Sequence, residues 1–495
     1  MELTELSATE LARAIRAGTM SAVEVVEAHL SLLAEVNPVI NAVVAQRFAQ
    51  ARAEAVAADA RLAAGQPVPP LLGVPCTVKE SIAVAGMPNT AGVVARRGAL
   101  APRSAPVVQR LVDAGAIVLG VTNTSEMCLW VEAENRLYGR TRNPYDPART
   151  AGGSSGGEGA VVGSGASPFG LGSDIGGSIR IPAFCCGVFG HKPSRGLVPA
   201  TGNQPPVGGG SARLFTNGVL ARRAEDLLPL LRLIAGPDGV DPLVPAPVDV
   251  PDAGPLRGLT VLVTEDAWPV PTSDELLFAR ERAAGALAAA GARVEHRRMP
   301  RLRRACDLYI TTLARTSEQT AREVLGAESV RLLRRGGPHT VATRVLLVAE
   351  AVHGRIPTRW AGQLVAAGRA LADELCAAIG DAVLLHPPLA TAAPRHGRTV
   401  GRPWWLGHAV PFNLAGLPVT QVPLGLNPAG LPLGVQVAAG PGRDALTITV
   451  ARELERVFGG WIRPPYRSFT YYGQNRGQNS DSGRWSEERD DGRQA

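Results

Sequence analysis

The sequence predicts an α/β protein, and two stretches in which helix and strand alternate carry that prediction. Pro106 to Ala114 has the pattern of a short helix, and the apolar run from Ala116 to Val121 follows it as a fully buried strand. A second unit predicts a helix from about Gly157 to Gly163, a strand through Phe169 to Gly172, and another helix after Ser178. Alternation of this kind is expected of a sheet covered by helices.

Helix-start signals extend the pattern toward the N-terminus. Ser7-x-x-Glu10 and Ser21-x-x-Glu24 have the spacing of capping boxes, so each predicts the start of an amphipathic helix. The second of these helices is expected to end near Asn37-Pro38, because proline breaks a helix. An alanine-rich segment from about Ala45 to about Ala64 predicts a third helix, which Gly65 ends.

Short apolar runs predict further strands. Val74 to Val78 is one of them, and it places Lys79 at a strand end, which is a rigid support for a functional side chain. Thr260 to Val263 predicts another strand. Thr272-x-x-Glu275 then has the spacing of a capping box, for a helix that ends at Gly291.

Composition and charge are those of an ordinary globular protein. The chain has 495 residues, of which 45% are hydrophobic and 19% charged. Large α/β proteins of this length often form one domain. The net charge is +7, but aromatic residues make up only 4%, and the one dense basic run, His296 to Arg304, is short enough to be a solvated face. These observations disfavour nucleic-acid binding.

Cysteine spacing and hydropathy indicate the cellular compartment of the protein. The six cysteines show no C-x-x-C spacing, and neighbours such as Cys185 and Cys186 rarely form a useful bridge, so buried reduced thiols are expected. The first residues lack a basic segment followed by an apolar core, and no apolar run is long enough to span a membrane. We therefore predict cytoplasmic residence and no membrane span.

The stretch from Thr150 to Gly196 is the most informative part of the chain. Glycines surround three serines, Ser154, Ser155 and Ser178, at a density that helices and strands disfavour. Its many apolar residues argue against a linker, and the glycines are not followed directly by the lysine of a phosphate loop. In Asp174 to Ser178, two adjacent glycines let consecutive N–H groups turn toward one point. A serine at the rim of such a concavity is suited to acyl transfer.

The two lysines of the chain suggest where a base would come from. Of the 51 basic residues only Lys79 and Lys192 are lysines, so 51 minus 2 leaves 49 arginines. Arginine cannot lose its proton in a protein, whereas a buried lysine can be neutral. A general base is therefore one role that would preserve a lysine in so arginine-rich a chain. Lys192, in the HKPS turn, is expected to anchor backbone carbonyls instead.

Three segments resemble the amidase signature family, whose members use a Ser–cis-Ser–Lys triad. They are GVPCTVKES around Lys79, GGSSGGEGA around Ser154, and GSDIGGSIRIPAFCCGVFGHKPS around Ser178. The resemblance extends from about Leu6 to about Trp461 and is greatest to the branch that contains fatty-acid amide hydrolases, especially their second type. It implies one large domain, residues 1–472, with a mixed central β-sheet surrounded by helices. The polar segment 473–495 is predicted to be a disordered tail.

The resemblance also implies roles for single residues. Ser178 would attack the carbonyl of a small-molecule amide, with fatty-acyl and aryl amides as the candidates, and Lys79 would be the base acting through Ser154. No metal or other cofactor is required, and a homodimer is possible. The oxyanion would be held by backbone N–H groups, and two further residues are candidates for substrate contact. The donors are Ile175, Gly176, Gly177 and Ser178, and the contact candidates are Met127 and Ser155.

Two alternatives remain open at this point. Gly152-x-Ser154-x-Gly156 is formally a nucleophile elbow, which would indicate a Ser-His-Asp α/β hydrolase, although no apolar strand pattern precedes it. The same signature also occurs in the glutaminase subunit of tRNA-dependent amidotransferases. Ser155 has its own alternative, a structural hydroxyl that satisfies nearby backbone.

Overall fold

Within the described residues, an eleven-stranded mixed sheet forms the centre of the molecule, and a separate two-stranded sheet pairs β4 with β5. The computed structural model describes residues 2–265, 271–325, 337–353 and 355–465. The order of the large sheet is β1-β3-β2-β6-β8-β7-β12-β13-β11-β9-β10. The strands are β1 Val43–Gln46, β2 Pro75–Lys79, β3 Ile117–Thr122, β4 Glu134–Asn135, β5 Gly139–Arg140, β6 Phe169–Asp174, β7 Phe189–Lys192, β8 Thr216–Ala221, β9 Thr260–Thr264, β10 Arg293–Arg297, β11 Val383–His386, β12 Val419–Leu426 and β13 Pro432–Ala439.

Helices surround this sheet, as the resemblance predicted, and residues up to Pro464 form one compact unit. The predicted tail, residues 473–495, lies outside the described residues. The helices are α1 Ala8–Arg16, α2 Ala22–Ile40, α3 Phe48–Ala63, α4 Pro106–Asp113, α5 Gly156–Gly163, α6 Arg180–Cys185, α7 Leu227–Ile234, α8 Asp274–Ala289, α9 Ala305–Thr316, α10 Ala321–Leu325, α11 Val341–His353, α12 Thr358–Ile379, α13 Val410–Ala415 and α14 Asp444–Phe458. In the part of the chain that the structure describes, no helix is both long and apolar enough to cross a bilayer.

Three parallel neighbours, β3, β2 and β6, position the candidate site. Lys79 is in register with Thr122, and Val78 with Leu171, so the carboxyl ends of these strands lie at the same edge of the sheet. Helix α5 packs on this part of the sheet and is buried throughout. In open α/β sheets, ligands bind at the carboxyl ends of parallel strands. This edge is therefore where a site is expected.

The two N-terminal capping boxes are confirmed, but the end of the second helix is not. Ser7 and Ser21 each accept a hydrogen bond from the N–H of the glutamate three residues on, whose carboxylate accepts from the serine N–H. Helix α2 continues through Pro38 to Ile40. A proline in the last turn removes one backbone donor, and the helix ends only where Asn41 takes a left-handed conformation with φ of 48°.

The capping box predicted at Thr272 is wrong. Helix α8 begins at Asp274, and Ser273 is its N-cap residue. The Glu275 carboxylate accepts a hydrogen bond from the Asn427 side chain at 2.9 Å, so it is bound to a distant loop instead of to its own helix terminus. Sequence spacing could not show this competing partner. The prediction also missed β1, which precedes the alanine-rich helix α3.

Candidate active site

Lys79 and Ser154 are joined directly at the carboxyl edge of the parallel strands. Lys79 Nζ lies 2.7 Å from Ser154 Oγ and 2.9 Å from Ser173 Oγ. Lys79 is fully buried, and Ser154 and Ser173 are exposed by only 1% and 3%. The Gly153–Ser154 peptide bond is cis. The structure thus brings together the predicted base and the predicted relay serine, with Ser173 as a third hydroxyl that the sequence did not single out.

Ser178 lies on the loop between β6 and α6, directly beside the Ser154 loop. The Ser155 N–H donates to the Ser178 carbonyl at 3.2 Å, which connects the two serine-bearing loops. Ser178 is 8% exposed and lines a cavity, whereas Ser154 is almost completely enclosed. Of the two serines, Ser178 is therefore the one with access to a bound molecule.

The loop that carries Ser178 is held by a buried ion pair. Arg180 donates to both carboxylate oxygens of Asp174, with each distance 3.0 Å, and neither side chain is exposed. Burial alone would raise the pKa of Asp174, but the Arg180 charge and its hydrogen bonds outweigh burial and hold that pKa well below its usual range. Arg180 also donates to Asn413 Oδ1 at 2.6 Å. The ion pair thus fixes both ends of the serine loop.

The predicted oxyanion donors surround Ser178, but one of them is already engaged. The Gly177 N–H donates to Asp174 Oδ1 at 2.8 Å, so it could reach an oxyanion only by sharing its hydrogen. This weakens the prediction for Gly177 and leaves Ile175, Gly176 and Ser178 as the better candidates. Gly177 has a φ of +110°, and a Cβ there would lie 2.6 Å from Ala409 Cβ, so glycine is required at this position.

Tyr309 binds the loop that carries the candidate oxyanion donors, and it was not identified from the sequence. Its hydroxyl donates to the Ile175 carbonyl at 2.9 Å, which orients the peptide that carries the Gly176 N–H. Burial raises the pKa of Tyr309, so its hydroxyl stays protonated and remains a donor. Contact between residues so far apart in sequence left no local pattern that could have revealed this role.

The environment of Lys79 favours its neutral form. Burial lowers the pKa of Lys79, while Cys128, Asp174 and Glu158 oppose that change. Burial also raises the pKa of Glu158 to about 8, although the hydrogen bonds from Thr77 and Thr122 lower it. Both hydroxyls donate to the Glu158 carboxylate at 2.7 Å and so tie α5 to β2 and β3. Burial thus favours the neutral form of both groups, as a base of this kind requires.

The two residues predicted to contact substrate differ in their placement. Met127 lines a cavity of about 270 Å³ next to the site. Ser155 is fully buried, and its hydroxyl donates to the Ser173 carbonyl at 3.3 Å. Substrate contact by Ser155 is therefore not supported, and the structural role left open above accounts for its hydroxyl. Lys192 donates to the Pro193 carbonyl at 2.7 Å, which confirms its predicted anchoring role.

The cavity at Ser178 is apolar. It has a volume of about 190 Å³ and adjoins the cavity of Met127. Besides Ser178, its walls come from the loop after β3, from α9, from α11 and from the segment before α13. The residues that define these walls are Leu129, Trp130, Ile310, Leu346, Ala349 and Leu406. An acyl group attached to Ser178 would therefore lie against hydrocarbon and an aromatic ring.

The nucleophile-elbow alternative does not fit this geometry. Ser154 follows a loop that runs from Thr141, and the hydrogen-bond partner of its hydroxyl is Lys79. An elbow serine would follow a buried strand and bond to a histidine. The arrangement found here suits serine chemistry with a lysine base.

Comparison with known proteins gives concordant results. A family model described as Amidase matches residues 24–448. The chain is 42% identical over 487 residues to fatty-acid amide hydrolase 2-B of Danio rerio, with 93% of this chain and 91% of that protein covered. Its identity to fatty-acid amide hydrolase 2 of Homo sapiens is 38%, with 93% and 90% covered. Among solved structures, 6-aminohexanoate cyclic dimer hydrolase matches with a TM-score of 0.79 at 29% identity, over 93% of this chain and 99% of that one.

Proposed function

Because the chain belongs to the amidase signature family and is an amide hydrolase, we propose that Lys79, Ser154 and Ser178 form its catalytic triad. The observation that carries the assignment is the buried 2.7 Å contact between Lys79 Nζ and Ser154 Oγ, beside Ser178, which lines an apolar cavity. A neutral lysine accepts a proton from the serine that it contacts. That serine is then ready to take the proton of a nucleophile.

The reaction has two halves. In the first, Ser178 Oγ forms a bond to the amide carbonyl carbon while its proton passes to Ser154 and the Ser154 proton passes to Lys79. The tetrahedral oxyanion is held by N–H groups of Ile175, Gly176 and Ser178. The carbon–nitrogen bond then breaks as Lys79 returns a proton through Ser154 to the leaving amine. In the second half, the oxygen of a water molecule bonds to the acyl carbon while its proton passes through Ser154 to Lys79. The bond between that carbon and Ser178 Oγ then breaks, the proton returns through Ser154 to Ser178, and the acid leaves.

The substrate proposed is an amide with an apolar acyl group. The cavity at Ser178 is lined almost wholly by hydrocarbon and aromatic side chains, and the relatives named above are fatty-acid amide hydrolases. Burying each methylene of an acyl chain there contributes about 0.8 kcal/mol. A long aliphatic or an aryl acyl group would therefore bind better than a short one.

Covalent labelling of Ser178 tests the proposal directly. An alkyl fluorophosphonate should phosphonylate Ser178 with loss of fluoride, so the peptide that contains Ser178 should gain the mass of the alkyl phosphonyl group. Ser178→Ala should lose turnover by a factor on the order of 10⁶, as for other serine nucleophiles. Labelling of Ser154 in place of Ser178 would contradict the assignment.

A glutaminase subunit of a tRNA-dependent amidotransferase is the second candidate function. Glutamine carries a charged α-amino group and an α-carboxylate, and these would need polar partners within the cavity. The described walls of the Ser178 cavity offer mainly hydrocarbon, which favours the amidase. Comparison of turnover on glutamine and on a lauroyl amide, with the isolated chain, separates the two.

The proposed enzyme works without nucleic acid, as a monomer or homodimer in the cytoplasm. Its dense basic run pairs with surface carboxylates: Arg298 with Glu265 at 3.3 Å, and Arg301 with Glu374 at 2.6 Å. Four cysteines are buried as free thiols, and Cys128 and Cys376 are partly exposed, which fits a reducing compartment. Light scattering of the purified chain and cell fractionation would test the assembly and the location.

A further inference from the structure

Glu126 is a buried carboxylate that binds the start of a distant helix. It lies on the loop after β3, next to Ser125. The Thr340 N–H and the Thr343 hydroxyl both donate to its Oε2, at 2.9 and 2.6 Å. His339 Nδ1 lies 2.6 Å from its Oε1. One carboxylate thus binds three residues at the N-terminal end of α11, where a negative charge is favoured by the helix dipole.

The same loop is attached to the catalytic serines. The Ser125 N–H donates to the Ser154 carbonyl at 3.3 Å, and the Trp130 N–H donates to Ser125 Oγ at 3.2 Å. Met127 packs in an apolar cluster with Leu347 of α11. Two neighbouring residues therefore connect α11 to the Ser154 loop: Glu126 binds the helix, and Ser125 binds the loop.

Helix α11 forms one wall of the cavity at Ser178. Val345, Leu346 and Ala349 line that cavity. The face of the helix that carries Val341 and Val348 is turned outward, since these side chains are 57% and 60% exposed. The helix is covered on one side only, so its placement depends on its inner contacts and on the carboxylate at its N-terminal end.

We infer that Glu126 determines acyl-chain specificity by holding α11 in place as the cavity wall. The inference rests on the proposed function, in which the acyl group attached to Ser178 occupies this cavity. A long acyl chain gains binding free energy from apolar contact with the whole wall, whereas an acetyl group buries little surface. Glu126 acts as a positioning residue, because its carboxylate is directed at α11 and not at the cavity.

Kinetics with matched amides test this role. Glu126→Gln keeps the shape but removes the charge, and Thr343→Val removes one donor from the side of the helix. The substrates are the dodecanoyl and acetyl amides of the same aromatic amine. In both variants we expect KM for the dodecanoyl amide to rise about tenfold, the order expected for loss of a charge-assisted hydrogen bond. The kcat for the acetyl amide should stay within about twofold of wild type, since the hydrogen bond to the Ser154 carbonyl comes from the Ser125 N–H, which both variants keep.

Glu134→Gln is the control. Glu134 lies on the same segment, but it accepts hydrogen bonds from Arg140 at the surface, at 2.8 and 3.1 Å. This variant should leave KM and kcat for both amides at their wild-type values. Hydrogen exchange of α11 should be faster in Glu126→Gln than in wild type and unchanged in Glu134→Gln.

The outcomes separate the inference from the proposed function. Equal losses on both amides, or unchanged exchange in α11, would overturn the specificity role of Glu126 while leaving the triad in place. Failure of the proposed function would look different, because the wild-type enzyme would then hydrolyse neither amide and Ser178 would not be labelled. That result would overturn the specificity role as well.

Discussion

At the scale of single residues, the role of Lys79 can be separated from its charge. Lys79→Arg keeps a basic side chain of similar bulk, but arginine is always protonated and cannot supply a neutral base. A lysine that acts as a base near pH 7 needs a pKa well below its ordinary value. Burial lowers the pKa of Lys79 in this structure. We therefore expect Lys79→Arg to be nearly as damaging as Lys79→Ala.

Amide turnover of both Lys79 variants between about pH 6 and 10 would check this expectation, with circular dichroism as the control for folding. If Lys79 only paired with a carboxylate, arginine would largely restore activity. Turnover near the wild-type level in Lys79→Arg would thus eliminate the proposed triad.

Tyr309 offers a second test at the same scale. Tyr309→Phe removes the hydroxyl that donates to the Ile175 carbonyl at 2.9 Å but keeps the aromatic ring. We expect kcat to fall about tenfold with little change in KM, which is less than the 10²–10³ typical of losing an oxyanion donor outright. Tyr145→Phe is a matched control, because that hydroxyl donates to the Ile462 carbonyl instead. An increase in KM with kcat unchanged would show that Tyr309 serves substrate binding and not the oxyanion loop.

The residue scale also shows how far sequence reasoning reaches. Lys79 could be singled out because its chemistry cannot be replaced by arginine in a chain that is otherwise arginine-rich. Ser178 could be singled out because adjacent glycines precede it. Tyr309 and Glu126 could not, since each acts through a contact with a residue more than a hundred positions away.

At the scale of elements, the β6–α6 loop depends on one buried arginine. Arg180→Lys would replace a planar group with five donors by an ammonium that cannot bind both oxygens of Asp174 in the same way. Breaking a buried ion pair costs about 3–5 kcal/mol, because the partner charge stays buried. We expect a loss of that order in the free energy of unfolding by urea, together with a loss of turnover.

Arg222→Lys is the comparison for that prediction. Arg222 is also buried, but it donates to the carbonyls of Gly165, Ser167 and Leu6. Its replacement should destabilise the fold while leaving turnover of the folded enzyme nearly unchanged. Similar turnover in the two variants would mean that the ion pair supports the fold alone and not the serine loop.

Helix ends that are fixed by neighbouring residues were predicted correctly, and a helix end that involves a residue far along the chain was not. The capping boxes of α1 and α2 form because serine and glutamate satisfy each other within one turn. The box at Thr272 fails because Glu275 has a better partner in Asn427, far along the chain. The helix predicted after Ser178 is present as α6, which has only six residues.

At the scale of the whole molecule, the sheet brings the site together. Lys79 ends β2 and Asp174 ends β6, and because these strands are parallel neighbours their carboxyl ends meet at one edge. Alternation of helix and strand predicted the α/β class. The strand order, in which β6 pairs with β2 and then antiparallel with β8, depends on long-range pairing that no local pattern encodes. The resemblance to a known family supplied the mixed character of the sheet but not this strand order.

Glu158 makes the stability of the whole fold depend on pH. Its folded-state pKa is raised by burial to about 8, above the ordinary value of 4.5, so the protonated carboxyl is the form that the fold favours. The stabilisation is fully present below pH 4.5 and is lost as pH rises through about 8. Each unit of that shift corresponds to about 1.4 kcal/mol, so several kcal/mol should be lost by alkaline pH.

Glu158→Gln tests this dependence, because the glutamine side chain has nearly the shape of a protonated glutamate and does not ionise. Relative to wild type, its free energy of unfolding by urea should improve steadily from pH 5 to pH 9. Glu134→Gln, at the surface, should instead follow the wild-type curve. If the free energies of unfolding of Glu158→Gln and wild type change with pH in parallel, the pKa of this carboxyl does not differ between the folded and unfolded states, and burial does not raise it.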